Sequence, residues 1–400
     1  MGNRKPVIVV GAGPAGLACG LWLARGGLEV TVLESSPELG PRPCGEGIMP
    51  PGVRLLEQLG LVDAARAAGA EPITGIAYWS GGELAAEADF PAWEGRPSFG
   101  LAVRRPGFDR VLLEALRREP LARVRLGTPV TDLLFEGPRV AGVVSAKESF
   151  AASAVVGADG MRSRVRERLK LSGTIWCPGE RFGVCGHFEW DSPRPQPLNR
   201  VEVHLVEGGE LYRAAVGPAA EGWIFLTGRE TVRRWAGRFE ALIAERAAAS
   251  PPLAAALSGA RPVGPFTATG PFARRARRLH APGALLIGDA AGYLDPLTGE
   301  GLAIGLQGAQ VAAQLLLASH GLVDDAVGGQ FERWWRDATR DPWRLTRAVV
   351  FLVRWPTLGR FALRRLGRHP ETMSRLLAVN AGDLRFSGLP LSDYARLLFG

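Results

Sequence analysis

Three glycines near the start of the chain have a spacing that suits backbone binding of an anion. An apolar, β-branched run at residues 7–10 predicts a buried parallel strand, and residues 17–25 follow as a helix pattern. Between them, Gly11 permits a tight turn, Gly13 lets the backbone approach a pyrophosphate, and Gly16 lets helix and strand pack closely. The free N–H groups at the helix start would face the phosphates. This segment therefore predicts a dinucleotide site.

An acidic residue ends the second apolar run of the chain. Residues 30–33 form a second strand pattern that stops at Glu34, which is placed to accept hydrogen bonds from the adenosine ribose hydroxyls. A carboxylate here argues against binding the 2′-phosphate of NADP at this site. The segment alone does not separate FAD from NAD.

Three later segments carry further candidate residues. One apolar strand pattern ends in a Gly-Ala-Asp-Gly turn containing Asp159, and another ends in Gly-Asp-Ala-Ala-Gly, containing Asp289. Aspartates at strand carboxyl ends lie where ligands bind in open α/β sheets. The third segment is Arg-x-x-Phe-Asp, beginning at Arg105. The alternative is that both aspartates only cap helices that follow their turns, but the two turns together favour ligand binding.

In their order and rough spacing, these motifs resemble a known flavoprotein family. Over about residues 1–320 the chain is similar to the family of para-hydroxybenzoate hydroxylase, the group A aromatic monooxygenases and the geranylgeranyl reductases. The resemblance implies non-covalent FAD. It also implies that Asp289 contacts the ribityl or ribose part of FAD, that Asp159 supports FAD and NAD(P)H binding, and that Arg105 reaches the pyrophosphate. The predicted cofactor-binding residues are Gly11, Gly13, Pro14, Ala15, Gly16, Glu34, Ser35, Arg42, Arg105, Val130, Asp159, Gly288, Asp289, Pro296, Gly299 and Gly301.

A glycine turn at residues 296–301 opens a long apolar helix pattern at residues 302–317. Its N–H groups and positive dipole end would face the flavin pyrimidine ring and stabilise the negative charge of reduced flavin. No second GxGxxG occurs, so we expect NAD(P)H to be a transient co-substrate.

The predicted fold class is α/β, with a Rossmann-like FAD-binding domain, an antiparallel substrate-binding sheet and a C-terminal helical region. Alternating strand patterns over 72–100 and 174–272 predict the sheet, which in the family forms a roof over the flavin. The predicted domains are 1–71, 101–173 and 273–327 for FAD, 72–100 and 174–272 for substrate, and 328–400 for a helical cap.

Candidate residues for the substrate pocket are few, and each has a plainer interpretation. His187 and Tyr212 lie in the predicted roof sheet, where either could face substrate or fill a core or surface position. Cys44, in a Cys-Gly-Glu-Gly segment of the kind seen in the reductase branch, could be a reactive thiol, but we favour a packing role. Arg42 could attract cofactor phosphates or be solvated. We name no catalytic residue.

The bulk properties narrow the possible partners and location. The net charge of +8 comes from scattered arginines without an aromatic stacking platform, so we expect no nucleic-acid partner. The four cysteines show neither metal-ligand nor disulfide spacing, no metal site is predicted, and a reducing cytoplasm is the simplest location. Residues 1–6 are too short and polar for a signal peptide, and no run of about 18 apolar residues predicts a membrane span.

The tail after residue 328 is helical in pattern and rich in Arg and Trp. We favour a cap that buries its apolar stripe on the FAD domain, while peripheral membrane contact stays open. The subunit state, monomer or homodimer, is also open.

Two chemistries compete. The leading hypothesis is a monooxygenase of secondary metabolism: NAD(P)H reduces FAD, O₂ adds at flavin C4a, and the hydroperoxide passes one oxygen to an aromatic or polyene small molecule. The protein's task would be to keep the site dry. The alternative is reduction of isoprenoid double bonds, favoured by CGEG and DPLTGEG, although the Y/F-x-W-x-F-P stretch of that branch is missing. A flavin-dependent halogenase lacks support because no W-x-W-x-I-P occurs, and a non-catalytic flavin-binding protein rests only on the basic tail.

Overall fold

The computed structural model describes residues 5–96, 98–146, 148–194 and 197–398, so residues 1–4 of the N-terminal segment lie outside it. The strands are β1 (Val7–Val10), β2 (Val30–Leu33), β3 (Gly47–Ile48), β4 (Glu71–Ile73), β5 (Gly75–Ser80), β6 (Glu83–Asp89), β7 (Gly100–Ala102), β8 (Ala122–Arg125), β9 (Val130–Glu136), β10 (Arg139–Ser145), β11 (Ser149–Ala151), β12 (Ala154–Gly157), β13 (Ser172–Thr174), β14 (Arg181–Glu189), β15 (Arg200–Val206), β16 (Gly209–Gly217), β17 (Ala220–Gly228), β18 (Arg261–Thr269), β19 (Arg274–Ala276), β20 (His280–Ala281), β21 (Ala284–Leu286) and β22 (Gly292–Tyr293). The α-helices are α1 (Pro14–Arg25), α2 (Pro50–Leu59), α3 (Val62–Ala67), α4 (Arg105–Arg117), α5 (Arg164–Arg168), α6 (Arg229–Arg234), α7 (Phe239–Ala248), α8 (Pro251–Ala256), α9 (Gly301–Ala318), α10 (Asp325–Val353), α11 (Pro356–Gly367), α12 (Pro370–Ala381) and α13 (Leu391–Leu398). Short 3-10 turns cover Gly288–Ala290, Pro296–Thr298 and Phe386–Gly388.

The first sheet has the strand order β20-β21-β12-β1-β2-β8 and is parallel except between β20 and β21. Every residue of β1, β2 and β12 is buried, because helices such as α1, α4 and α9 add their apolar residues to the same core. The chain runs from β1 through α1 to β2 on one side, while β12 pairs with the other side of β1. A topological switch point therefore lies at the carboxyl ends of β1 and β12, where Gly11 and Asp159 follow the strands. The predicted Rossmann-like domain is confirmed.

The second large sheet has the order β18-β14-β17-β16-β15-β5-β6 and is antiparallel except between β15 and β5. The face that includes Val184 and Trp223 packs against α7 and α8, and the opposite face, which includes Tyr212, packs with residues of α10 and α12. The predicted antiparallel sheet is thus present. Helices α6, α7 and α8 interrupt its 174–272 segment and were not predicted; α7 buries Leu242 and Ile243.

The C-terminal region is helical, as predicted. Helix α10 buries Phe331, Trp335 and Trp343 against the core of the first sheet. The domain boundaries that the sequence suggests stay predictions.

Helix α9 departs from the sequence prediction, which found no segment apolar and long enough to span a membrane. Gly301–Ala318 is long and apolar enough to cross a membrane, with a mean hydropathy of 1.4. Its buried residues, however, belong to the core around the parallel sheet, together with those of α1. The helix is accounted for by packing within the fold.

Candidate cofactor site and adjoining cavity

The glycine turn leaves no room for larger side chains at two of its three glycines. Gly11 has a φ of +104°, and a Cβ there would lie 2.5 Å from the carbonyl oxygen of Ala158. A Cβ on Gly16 would lie 2.0 Å from the carbonyl oxygen of Gly11, whereas one on Gly13 would meet nothing within 4 Å. Open space at Gly13 is what a close-lying phosphate requires, and the other two glycines hold strand and helix together.

Helix α1 begins at Pro14 without a side chain that caps its N-terminus at Gly13. Its first N–H groups are therefore directed into the open space at the switch point, where an anion can accept their hydrogen bonds. The second predicted turn lies against this one, because a Cβ on Gly288 would be 3.0 Å from the Cβ of Ala15. The structure thus brings the GAGPAG and GDAA segments together.

Glu34 is buried at the end of β2 and accepts four hydrogen bonds. Oε2 accepts from the Ala12 N–H at 2.9 Å, and Oε1 accepts from the Ser35 hydroxyl, the Ser36 N–H and the Arg42 guanidinium, each at 3.0 Å. Burial raises the pKa of Glu34, but the two backbone hydrogen bonds and the charge of Arg42 outweigh it, so the pKa is below its ordinary value. The carboxylate is held ionised and fixed beside the glycine turn.

The segment before Val130 lies along the same edge. The Thr128 N–H donates to the carbonyl oxygen of Glu34 at 2.7 Å, and β9 begins two residues later, at Val130. Ser35, Arg42 and the start of β9 are therefore grouped around Glu34.

Asp159 caps a helix and also has an oxygen to spare. Oδ2 accepts from the Arg164 N–H at 2.6 Å and the Val165 N–H at 3.0 Å, as the capping alternative required. Oδ1 is buried without a hydrogen-bond partner among the described residues. A buried acceptor of this kind is costly unless a ligand supplies a donor.

Asp289, in the GDAA turn, lies near two arginines from other segments. Burial raises its pKa to about 6, against the opposing charges of Arg105 and Arg166. Arg166 is itself buried and donates to the carbonyl oxygen of Ala290 at 2.8 Å and to that of Met161, which ties the GADG and GDAA turns together. The sequence interpretation gave Arg166 no role, although its position seven residues after Asp159 was the available signal.

Arg105 opens α4 and is buried against an acidic partner. Its guanidinium donates through Nε and one terminal nitrogen to both carboxylate oxygens of Asp109, each at 2.9 Å. Cys44 lies close to this pair, and burial raises the pKa of its thiol. Its Sγ accepts a hydrogen bond from the Glu46 N–H at 3.3 Å, a contact that suits a neutral, packed thiol.

Glu46, which the sequence interpretation overlooked, links the cofactor side to the roof sheet. Its side chain is buried and its backbone has a φ of +57°. Oε1 accepts from the Arg105 N–H at 2.9 Å, and Oε2 lies 2.8 Å from Nε2 of His187. Gly222, paired with His187 across the sheet, leaves the space, since a Cβ there would be 3.1 Å from Oε2. The roof sheet therefore brings His187 to the Cys-Gly-Glu-Gly segment.

The turn before α9 also contains a buried carboxyl group, that of Glu300. Gly299 adopts a left-handed conformation with a φ of +72°, and α9 begins at Gly301. Between them, Glu300 accepts hydrogen bonds from the hydroxyls of Thr298 and Thr346, and burial raises its pKa to about 7. Asp289, Glu300 and Gly301 line one small cavity of about 300 Å³.

An ion-pair network fixes this turn to the roof sheet. Arg181 in β14 donates to Asp295 at 2.9 Å and to Glu210 in β16 at 2.7 Å. Asp295 in turn accepts from the Leu297 N–H at 3.0 Å. The turn that would face the flavin ring and the sheet above it are thus one connected unit.

A larger cavity of about 840 Å³ lies between the roof sheet and the C-terminal helices. Its walls are mainly aliphatic residues of β5, β15, α10, α11 and α12, and Leu297 and Thr298 of the turn before α9 lie at its inner end. Tyr212 is on the wall, and its hydroxyl donates to the Leu297 carbonyl oxygen at 3.2 Å. Asn380 donates through Nδ2 to the Thr298 carbonyl oxygen at 2.8 Å, while its Oδ1 is buried without a partner among the described residues.

A glycine turn at a switch point, an acid on the next strand and a sheet lying above both define a dinucleotide-binding flavoprotein fold. Residues 4–327 match the family model described as FAD binding domain. The chain therefore belongs to this family and is a flavin-dependent oxidoreductase, and the predicted resemblance is confirmed.

Relatives in the family act as reductases and as monooxygenases. The chain is 30% identical to the menaquinone reductase of Mycolicibacterium smegmatis, covering 81% of this chain and 79% of that one. It is 30% identical to the 6-methylpretetramide 4-monooxygenase of Streptomyces rimosus (79% and 76% covered). It is 27% identical to digeranylgeranylglycerophospholipid reductase 1 of Methanococcoides burtonii (84% and 80% covered).

The fold is also that of the flavin-dependent brominase Bmp2. The two structures align with a TM-score of 0.80 and 18% identity over 95% of this chain and 94% of that chain. At this identity the likeness concerns the fold.

Proposed function

We propose that the protein is an FAD-dependent reductase that saturates a carbon–carbon double bond of an apolar isoprenoid lipid, with NAD(P)H as the source of electrons. The observation that carries the proposal is the 840 Å³ cavity, whose aliphatic walls end at the turn before α9. Ligand sites normally add a few polar groups that orient a polar substrate. Here the one carboxylate on the wall, Glu210, is already paired with Arg181.

The names of two relatives agree with an apolar lipid. One is named for menaquinone and the other for digeranylgeranylglycerophospholipid, and both compounds carry long isoprenoid chains. Burying such a chain against aliphatic walls gains roughly 25 cal/mol per Å² of apolar surface. Binding strength would come from chain burial, and the polar head would need few contacts.

The residues already described fit FAD in a consistent direction. The start of α1 would hold the pyrophosphate, Glu34 the ribose, Asp289 the ribityl or ribose part, and the start of α9 the ring. Asp159 Oδ1, buried without a partner in the part of the chain that the structure describes, offers an acceptor for a ligand donor. When bound and reduced, FAD supplies the two electrons of the reaction.

The double bond also takes up two protons: one would come with the electrons as a hydride from the reduced flavin, and we assign the other to the Glu46–His187 pair. The pair lies between the roof sheet and the backbone of Arg105, with the Glu46 side chain buried and the His187 side chain 17% exposed. A His187→Asn change should slow product formation while NAD(P)H still reduces the flavin, because only proton supply is altered. Stopped-flow measurement of both steps in H₂O and D₂O checks this. If the variant slows flavin reduction equally, the pair has a structural role instead.

The central experiment is an anaerobic turnover assay. FAD-loaded protein, NAD(P)H and a geranylgeranyl lipid or menaquinone in detergent should give a product heavier by two hydrogen atoms, detected by mass spectrometry. The matched control is the same mixture without NAD(P)H. Absence of hydrogenated product, with flavin that NAD(P)H does reduce, would sink the proposal.

A monooxygenase is the second candidate, favoured by Asn380. An unpaired buried acceptor at the inner end of the cavity suits a ligand that carries a hydroxyl donor, such as a phenol. One relative is also named as a monooxygenase. Incorporation of one ¹⁸O atom from ¹⁸O₂ into product, with no reaction under anaerobic conditions, would select this candidate over the reductase.

The state of the cysteines supports a proposal for the cellular location. Cys19, Cys44, Cys177 and Cys185 are all free. A reducing cytoplasm is the location that we propose for such a protein.

A further inference from the structure

The end of α10 and the start of α11 form an exposed apolar surface. Phe351, Trp355, Leu358 and Phe361 are 50%, 59%, 42% and 57% exposed, and we call these four residues the apolar tip. Trp176 is also exposed, and its carbonyl oxygen accepts from Arg347, one helical turn before Phe351. Large apolar side chains exposed in one group mark an interaction site.

The chain around the apolar tip carries positive charge only. Residues 342–370 contain seven arginines and no aspartate or glutamate. Arg354, Arg360, Arg364 and Arg368 are exposed and form no ion pair within the described ranges. A partner of complementary chemistry must be both apolar and anionic.

The same helices form the wall of the large cavity with their other side. Leu352 and Val353 of α10 and Ala362 and Leu363 of α11 line the cavity, while the sequence neighbours of these pairs, Phe351 and Phe361, point outwards. One short stretch of chain therefore separates the apolar tip from the cavity interior.

We propose that the apolar tip binds the surface of an anionic lipid bilayer, and that lipid enters the cavity between α10 and α11. Aromatic residues would sit at the boundary of headgroups and acyl chains, and the unpaired arginines would contact lipid phosphates. The bilayer is thus the store from which the cavity is filled. Lipid entry rests on the proposed function, whereas membrane binding by the tip stands on the exposed residues and charges alone.

The test uses the full chain loaded with FAD. Co-sedimentation with phosphatidylglycerol-containing vesicles should exceed that with pure phosphatidylcholine vesicles, because the tip is cationic. The double change Trp355→Ser with Phe361→Ser should lower partitioning by about tenfold or more. Phe135→Ser, at a residue 52% exposed on β9, is the matched control and should leave partitioning unchanged.

The charges give a second, independent readout. Arg360→Gln and Arg364→Gln should each weaken binding to the anionic vesicles by about fivefold. Added salt should weaken vesicle binding by the wild type more than vesicle binding by a variant that carries both arginine changes. The control is Arg118→Gln, an exposed arginine at the end of α4.

Three results would overturn the inference: no binding of the wild type to anionic vesicles, equal losses in the controls, or a dimer in solution that the same tip changes dissociate. Circular dichroism and flavin content confirm that each variant is folded. Vesicle binding needs no turnover, and the assay in detergent needs no bilayer. Failure of the membrane inference and failure of the proposed function are therefore distinguishable.

Discussion

The cofactor site and the large cavity are built by opposite means. At the predicted cofactor site, hydrogen bonds and close packing hold the backbone in one arrangement. Glu34 accepts from the Ala12 N–H, and Gly16 leaves no room for a Cβ. In the cavity, aliphatic walls from several distant segments meet, and Glu210 and Tyr212 are paired with Arg181 and the Leu297 carbonyl oxygen. On the proposed function, local geometry would specify the cofactor, and the shape and apolarity of the cavity would specify the substrate. Changes at the cofactor site should therefore alter FAD binding, and changes in the cavity should alter lipid turnover.

The largest effect should follow from closing the glycine turn. Gly16→Val places a Cβ 2.0 Å from the Gly11 carbonyl oxygen, so strand and helix must separate and the predicted phosphate site is lost. We expect FAD affinity to fall by roughly a thousandfold, about 4 kcal/mol. Flavin content after gel filtration and titration with FAD measure it. Gly228→Ala, where a Cβ meets nothing within 4 Å, should behave as wild type.

The buried carboxyl group at the start of α9 should make stability depend on pH. With a folded pKa of about 7 against the ordinary value of 4.5, the folded state binds the extra proton between these values. Stability is thus full below about pH 4.5 and falls as pH rises through 7, by up to about 3 kcal/mol from this group. Glu300→Gln should flatten that part of the profile in urea unfolding of the apoprotein. An unchanged slope would mean that Glu300 does not titrate in this range.

Filling the cavity should show that the cavity and the cofactor site act independently of each other. Ala362→Trp projects a large ring from α11 into the space, so we expect turnover of lipid to fall by roughly tenfold. The flavin spectrum and FAD affinity should stay as they are, because no cofactor contact changes. Ala255→Trp, on the exposed side of α8, is the control. Loss of FAD in the Ala362 variant would show that the cavity and the cofactor site are not independent.

The smallest effect should come from the unpaired acceptor. Asn380→Leu removes Oδ1 and also the hydrogen bond to the Thr298 carbonyl oxygen. Ligands with a hydroxyl at the inner end should bind about fivefold more weakly, about 1 kcal/mol, while ligands without a donor should bind equally well. Competitive binding of a phenol and its methyl ether measures this. Equal losses for both would assign Asn380 to packing.

The comparison also explains what could be predicted from the sequence. The unit of β1, α1 and β2 is continuous, so spacing alone predicts the tight turn at Gly11 and Gly16 and the position of Glu34 beside it. The roof sheet was indicated by alternation in residues 181–190, because a half-buried strand repeats every two residues. These features depend on neighbours in the chain.

The site residues that the sequence did not reveal make their contacts with residues far away in the chain. Glu46 meets His187 across 141 positions, and Asn380 meets Thr298 across 82. Neither pair leaves a periodic signal, and no composition rule connects them. Arg166 follows the Gly-Ala-Asp-Gly turn in the sequence, but its contact with the GDAA turn appears only when the two turns are seen side by side.

Helix α10 fixes the distance between the apolar tip and the turn before α9. Thr346 contacts Glu300 beside the predicted ring position, and Trp355 lies just past the end of the same helix. At 1.5 Å per residue the two are about 14 Å apart along its axis. With the tip resting on a bilayer, this rigid spacing would act as a ruler. It would decide which double bond along an extended chain reaches the reducing centre, so that lengthening or shortening the helix should move the saturated position rather than abolish it.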